Sequence, residues 1–101
     1  MNFLSPSDIV EGNAPENAQF VDVREPAELA DAKWSIFQNL PLSSFDKTFS
    51  QLDKNRPVVV ICAAGMRSLK AATFLQNQGY ESVWNVDGGM NAAASEGAPV
   101  E

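Results

Sequence analysis

Histidine is absent from the 101 residues, and cysteine occurs once, at Cys62. Each absence removes a class of chemistry. Without an imidazole, the chain cannot build a Ser-His-Asp or Cys-His nucleophilic site from its own residues. A single cysteine excludes an internal disulfide and any multi-cysteine metal site, and a zinc site made of carboxylates alone is a poor fit to that ion, so neither metal nor cofactor is expected. Basic residues are few: seven Lys and Arg against thirteen Asp and Glu give a formal charge of −6. The seven form no run, so a nucleic-acid partner has no electrostatic support. Long apolar stretches are missing too; the longest, Val58 to Gly65, is far short of a membrane span. Met1 to Asp8 shows neither a basic segment nor an apolar core of a secretion leader, which makes the cytoplasm the expected compartment.

What is present reads as one domain over residues 1–101, with no repeat, low-complexity tract or linker. Three short runs rich in Val and Ile, Phe20–Val23, Val58–Cys62 and Val83–Val86, have the pattern of strands buried on both faces. Weaker strands are expected at Asn2–Leu4 and Gln38–Leu40. Helical segments alternate with them. Ser5 caps a helix with Pro6 at its first position. Pro26–Ala30 forms a short one, and Ser43 or Ser44 caps a stretch reaching about Leu52. The clearest helix runs from Met66 to about Gln78 with Ser68, Ala71, Ala72 and Leu75 on one face, stopped by Gly79 and Tyr80. A last short helix follows Gly88-Gly89. Such alternation argues for an α/β domain around a mostly parallel sheet, whose sites lie at the carboxyl ends of the strands.

Cys62 stands at such an end. The loop after it, Ala63-Ala64-Gly65-Met66-Arg67, is small and glycine-bearing, and it leads directly into the clearest helix. Successive N–H groups in a tight curl, with the unsatisfied donors of a helix start, make an anion-binding nest. A free cysteine with a pKa of about 8.5 is only about 3% ionised at pH 7. Helix dipole, Arg67 and converging N–H donors all favour the thiolate, and the donors must supply most of any large shift because the dipole alone is worth less than about one pKa unit. A nucleophile ionised in this way needs no base.

The segment Cys62–Ser68, followed by Ala71-Ala72 and Leu75, resembles the active-site loop and helix of the rhodanese-like family. Asp22-Val23-Arg24-Glu25-Pro26 with Glu28-Leu29 is similar to that family's upstream Asp-Val-Arg-Glu segment. Asn39-Leu40-Pro41-Leu42, Gly88-Gly89 and Gly97–Val100 match further stretches in the family's order. The resemblance implies an α/β three-layer sandwich with a central, mostly parallel five-stranded sheet flanked by helices. It implies a sulfurtransferase or sulfur carrier in which Cys62 takes a sulfane sulfur from thiosulfate or a persulfide and passes it to a thiol or cyanide, with a protein persulfide as a further partner. Ala63, Ala64, Gly65, Met66 and Arg67 would bind the substrate sulfur, Arg67 orienting an anionic donor. Asp22, Arg24 and Ser68 would support the loop, Asp22 and Arg24 as a structural pair rather than an acid and base. Glu11, Glu16, Glu25 and Glu28 read as solvated surface charge, and Trp34 and Trp84 as core.

Two departures stand out. Where the family often has Gly-His-Ile-x-Gly-Ala, this chain has Ala32-Lys33-Trp34-Ser35-Ile36-Phe37, and Ala92-Ala93 replaces a usual Ala-Trp pair. Ile36 or Phe37 is expected to fill the space of the missing tryptophan. Two other functions compete with sulfur transfer: a phosphatase or arsenate reductase of related fold, and a non-catalytic binding module. Four residues separate Cys62 from Arg67, one fewer than in the related phosphatases, which suits a single sulfur atom better than a tetrahedral oxyanion.

Overall fold

The structure is a computed structural model describing residues 1–101. Its centre is a five-stranded sheet: β1 (Asn2–Leu4), β2 (Gln19–Asp22), β3 (Gln38–Asn39), β4 (Val58–Ile61) and β5 (Val83–Val86), in the order β1-β5-β4-β2-β3. Every pairing is parallel. Parallel neighbours need crossovers, and these place helices on both faces. The helices are α1 (Pro6–Val10), α2 (Phe45–Thr48), α3 (Met66–Asn77) and α4 (Gly89–Ser95), with 3-10 turns at Pro26–Ala30, Leu42–Ser44 and Phe49–Gln51.

The side-chain alternation of β4 divides the core. Val58, Val60 and Cys62 point into one layer with Ala71, Ala72 and Leu75 of α3, Phe45 of α2 and Val83 of β5. Val59 and Ile61 point into the other, with Ile9 of α1, Met90 and Ala93 of α4, Trp34 and Phe37. All four residues of β4 are fully buried, as its unbroken apolar run requires. Cys62 therefore leaves the sheet on the α3 side, at the carboxyl end of its central strand.

Most of the expected elements form where the residue patterns place them. Ser5 and Asp8 make a reciprocal capping box ahead of Pro6, with the Asp8 N–H donating to Ser5 Oγ at 3.1 Å and the Ser5 N–H donating to Asp8 Oδ2 at 2.9 Å. The α3 helix buries Ser68, Ala71, Ala72 and Leu75, and beyond its end the Tyr80 N–H donates to the Leu75 carbonyl at 3.1 Å.

One expectation is corrected. The stretch from Ser43 to Leu52 is not one capped helix but a 3-10 turn, one turn of α-helix and another 3-10 turn, with no side-chain cap. Ser43, Ser44, Thr48 and Ser50 supply little helix propensity, and the Ser43 hydroxyl donates instead to Glu25 Oε1 at 2.7 Å. Phe45 and Phe49 keep their packing, both edge-on to Phe74. Of the two bulky residues expected to fill space near Ala93, Ile36 is 48% exposed, while Phe37 is buried in the same core cluster as Ala93 together with Trp34, whose ring lies 5.3 Å from that of Phe37.

Candidate active site

The loop between β4 and α3 turns on Gly65, which has φ +103°, in the left-handed region that glycine occupies without a Cβ penalty. That turn aims the Gly65 N–H back at the Cys62 sulfur, with N to Sγ at 3.0 Å. One helical turn later, Ser68 Oγ lies 3.3 Å from the same sulfur. Burial alone pushes the Cys62 thiol up. The Ser68 hydroxyl and the N–H groups of Ser68, Gly65 and Ala64 outweigh it and hold the thiol below its ordinary value. Cys62 is 1% exposed, so the sulfur lies beneath the loop rather than on it.

The second half of the loop is held by an ion pair. The Arg67 guanidinium binds Glu28 in a two-pronged pair, Nη1 to Oε2 and Nη2 to Oε1, each 2.8 Å. Glu28 is thus no solvated surface charge. The Arg67 hydrogen bonds lower its carboxyl to about 2, so the pair stays charged across any working pH. Glu28 is fixed from its other side as well: its Oε2 accepts the Glu25 N–H at 2.7 Å.

Asp22 and Arg24 build the platform for Glu28. Both are nearly fully buried and joined at 2.8 Å, and Arg24 also donates to the carbonyls of Glu28 (3.3 Å) and Ala32 (2.7 Å). Asn39 completes it by donating to the carbonyls of Asp22 and Arg24 at 3.0 and 2.9 Å. Arg24 therefore pins the Pro26–Ala30 turn against the end of β2, and that turn presents Glu28 to Arg67. Neither Asp22 nor Arg24 approaches the sulfur by any hydrogen bond.

Gly88-Gly89 closes the site from the far side. The N–H of Met90 donates to the Cys62 carbonyl at 2.8 Å and that of Asn91 to the Ala63 carbonyl at 3.0 Å. So close an approach leaves no room for a side chain at Gly89: a Cβ there would meet the Cys62 and Ala63 oxygens at 2.3 and 2.6 Å. Ala63 borders a shallow groove that also includes Glu28, Asp31, Met90, Asn91 and Ala94. A second groove, lined by Lys54, Arg56, Gly79 and Glu81 among others, lies at the opposite ends of the strands and has no part in this chemistry.

Glu28, Asn85 and Gly89 are the site residues that the reading of the sequence missed as such. A signal existed for Glu28, three residues after Glu25 as in a capping box, and for Gly89 in its double glycine. Met66, expected to bind substrate, has its side chain 68% exposed at the first position of α3.

A buried cysteine under a loop of N–H donors, at the carboxyl end of the central strand of a parallel sheet, defines an α/β domain that stabilises negative charge on sulfur. The chain belongs to the rhodanese-like family: the family model for the rhodanese-like domain matches residues 5–96. A sulfurtransferase of Allochromatium vinosum is 38% identical over 84% of this chain and 79% of its own length. The thiosulfate sulfurtransferase GlpE of Vibrio cholerae is 35% identical over 85% of this chain and 81% of its own. Among solved structures, a rhodanese-related protein of Thermoplasma volcanium superposes with a TM-score of 0.87 at 32% identity, covering 100% of this chain and 98% of that one.

Proposed function

We propose that this protein is a sulfurtransferase whose Cys62 carries the transferred sulfur as a persulfide, and that it takes this sulfur from persulfides in preference to thiosulfate. The observation that carries the reading is the sulfur of Cys62 accepting from the Gly65 N–H at 3.0 Å, with the Ser68 hydroxyl 3.3 Å away, at the head of α3. In the first step the Cys62 thiolate attacks the outer sulfur of the donor. A sulfur–sulfur bond forms as the donor's own bond to that sulfur breaks, its electron pair leaving on sulfite from thiosulfate or on a thiolate from a persulfide. In the second step an acceptor thiolate or cyanide removes the outer sulfur, and the electron pair of the broken bond returns to Cys62 as thiolate. N–H groups already aimed at the sulfur stabilise its charge with little reorganisation. No second cysteine exists to resolve the persulfide, so the acceptor comes from outside.

Donor preference follows from charge. Glu28 neutralises Arg67, the loop's only cation, Asp31 borders the adjacent groove, and the whole chain carries −6. A dianion such as thiosulfate meets no net attraction there. Glu28→Gln keeps a carbonyl for the Glu25 N–H but removes the charge that cancels Arg67. It is expected to raise kcat/KM for thiosulfate roughly 3- to 30-fold, the effect of about 0.6–2 kcal/mol from one charge at a partly exposed site, with the gain shrinking as salt is added. Turnover with an alkyl persulfide, a monoanion, should respond less, rising no more than about fivefold. Steady-state rates at two ionic strengths decide it; an unchanged or lower thiosulfate efficiency in the folded variant would sink the donor assignment.

Arg67 engaged by Glu28 and a cysteine only 1% exposed weigh against the phosphatase reading, since a tetrahedral oxyanion needs both a free guanidinium and an open cradle over the sulfur. The same burial favours a second reading, a binding module that keeps the fold without chemistry. Intact mass after incubation with a persulfide donor separates the two: sulfur transfer requires a gain of one sulfur atom, and a module gains none.

A further inference from the structure

Ser68 and Asn85 are polar residues 0% and 4% exposed, facing each other beneath the loop. Ser68 Oγ has three acceptors around it: Cys62 Sγ at 3.3 Å, the Gly65 carbonyl at 3.2 Å and Asn85 Oδ1 at 2.5 Å. A hydroxyl carries one proton, so it serves one of them well at a time. The orientation of Asn85 is set by its other end, where Nδ2 donates to the Gly65 carbonyl at 3.2 Å. Turning the amide over would set oxygen against oxygen there, so Oδ1 must face Ser68. Two oxygens this close repel unless a proton lies between them.

We propose that Asn85 is a positioning residue that competes with Cys62 for the single Ser68 proton and thereby favours the sulfur-loaded form of Cys62 over the empty thiolate. This rests on the persulfide reading above. Ionisation of empty Cys62 puts the charge on Sγ and draws the Ser68 proton out of the 2.5 Å contact with Asn85, leaving two buried oxygens facing each other without a donor, which is costly. Loading from a persulfide RSS⁻ converts Cys62–S⁻ to Cys62–S–S⁻ and releases RS⁻. The charge then lies on the outer sulfur, one bond farther from Ser68, and Sγ becomes a neutral divalent sulfur with little pull on a proton. Ser68 returns its proton to Asn85, and the buried network is satisfied. The loop N–H groups still hold the charge, so Asn85 sets how tightly sulfur is retained rather than whether it is taken up.

The test is the pH dependence of Cys62 alkylation in variants, with the loaded fraction measured by intact mass against a small thiol–persulfide pair. Asn85→Ala frees the Ser68 proton for sulfur. It is expected to lower the alkylation midpoint by about one pH unit, the size of one hydrogen bond to a charged group, and to reduce the ratio of loaded to empty Cys62 about tenfold. Ser68→Ala is expected to raise the midpoint, and adding Asn85→Ala to it should change nothing further, because Asn85 acts through Ser68. A higher midpoint in Asn85→Ala, or an equal fall in the Ser68→Ala background, overturns the proposal. Should Asn85→Ala not fold, the side-chain amide nitrogen signal of Asn85 in the unaltered protein is followed instead. It should titrate with Cys62 and stop titrating once Cys62 is persulfidated; a pH-independent signal overturns the proposal. Failure of the unaltered protein to gain sulfur defeats the persulfide reading itself, whereas loading without these shifts defeats only the role of Asn85.

Discussion

Cys62→Ser is expected to lower sulfur transfer by roughly a thousandfold or more with every donor, in line with the loss seen when a nucleophile is removed. The prediction is stronger here than for a cysteine enzyme with a histidine. Serine is a far weaker acid than cysteine, and this chain has no imidazole to take its proton. The loop's N–H groups can stabilise an ionised sulfur but supply no base for a hydroxyl. The fold should survive, because a serine hydroxyl at Cys62 can accept from the Gly65 N–H in place of the sulfur. Initial rates with a persulfide donor measure the effect, with circular dichroism as the check on folding. Retention of more than a few per cent of the activity would mean that the sulfur is carried elsewhere.

Gly89→Ala is expected to damage both stability and transfer although Gly89 touches no substrate. Its φ of +58° is a conformation that costs an alanine about 1–2 kcal/mol. The new Cβ would also lie 2.3 Å from the Cys62 carbonyl oxygen and 2.6 Å from that of Ala63, both backbone atoms held by hydrogen bonds from α4. Either α4 retreats and those bonds break, or the loop moves and the Gly65 N–H leaves the sulfur. Overpacking of this kind costs about 1–3 kcal/mol, so the sum is about 2–5 kcal/mol and the fall in Tm roughly 10–30 °C for a domain of this size. Alkylation of the surviving folded protein should show a raised Cys62 midpoint. A Tm within about 3 °C of the unaltered protein would mean that the contact between α4 and the loop is slack.

The sheet was legible because its signals are local. Val58–Ile61 is apolar along its whole length and Val83–Val86 at all but Asn85, as strands buried on both faces largely must be. The α3 face was legible for the same reason, Ser68, Ala71, Ala72 and Leu75 recurring at three and four. So was the nest, since Cys62, Gly65 and the helix start are consecutive. The partners of the loop were not. Glu28 reaches Arg67 across 39 residues only because β2 and β4 are neighbours and end side by side, Asp22 opposite Ile61. Asn85 reaches Ser68 because β5 flanks β4 on the other side. Apolar periodicity reveals that strands exist; it does not encode the order β1-β5-β4-β2-β3 that brings those ends together. The stretch from Ser43 to Leu52 failed differently: the spacing of its phenylalanines correctly placed them in the core, but several serines and a threonine do not sustain a continuous helix.

One physical premise underlies the chemistry: N–H groups and a hydroxyl favour the charged form of a buried sulfur against the cost of burial. The rate of iodoacetamide alkylation of the unaltered protein, followed from pH 5 to pH 10 and read by intact mass, tests it most directly. The account predicts a midpoint below the value of about 8.5 for a free cysteine, with Cys62 the modified residue. A midpoint at or above that value, or a sulfur that stays unmodified in the folded protein, would contradict it.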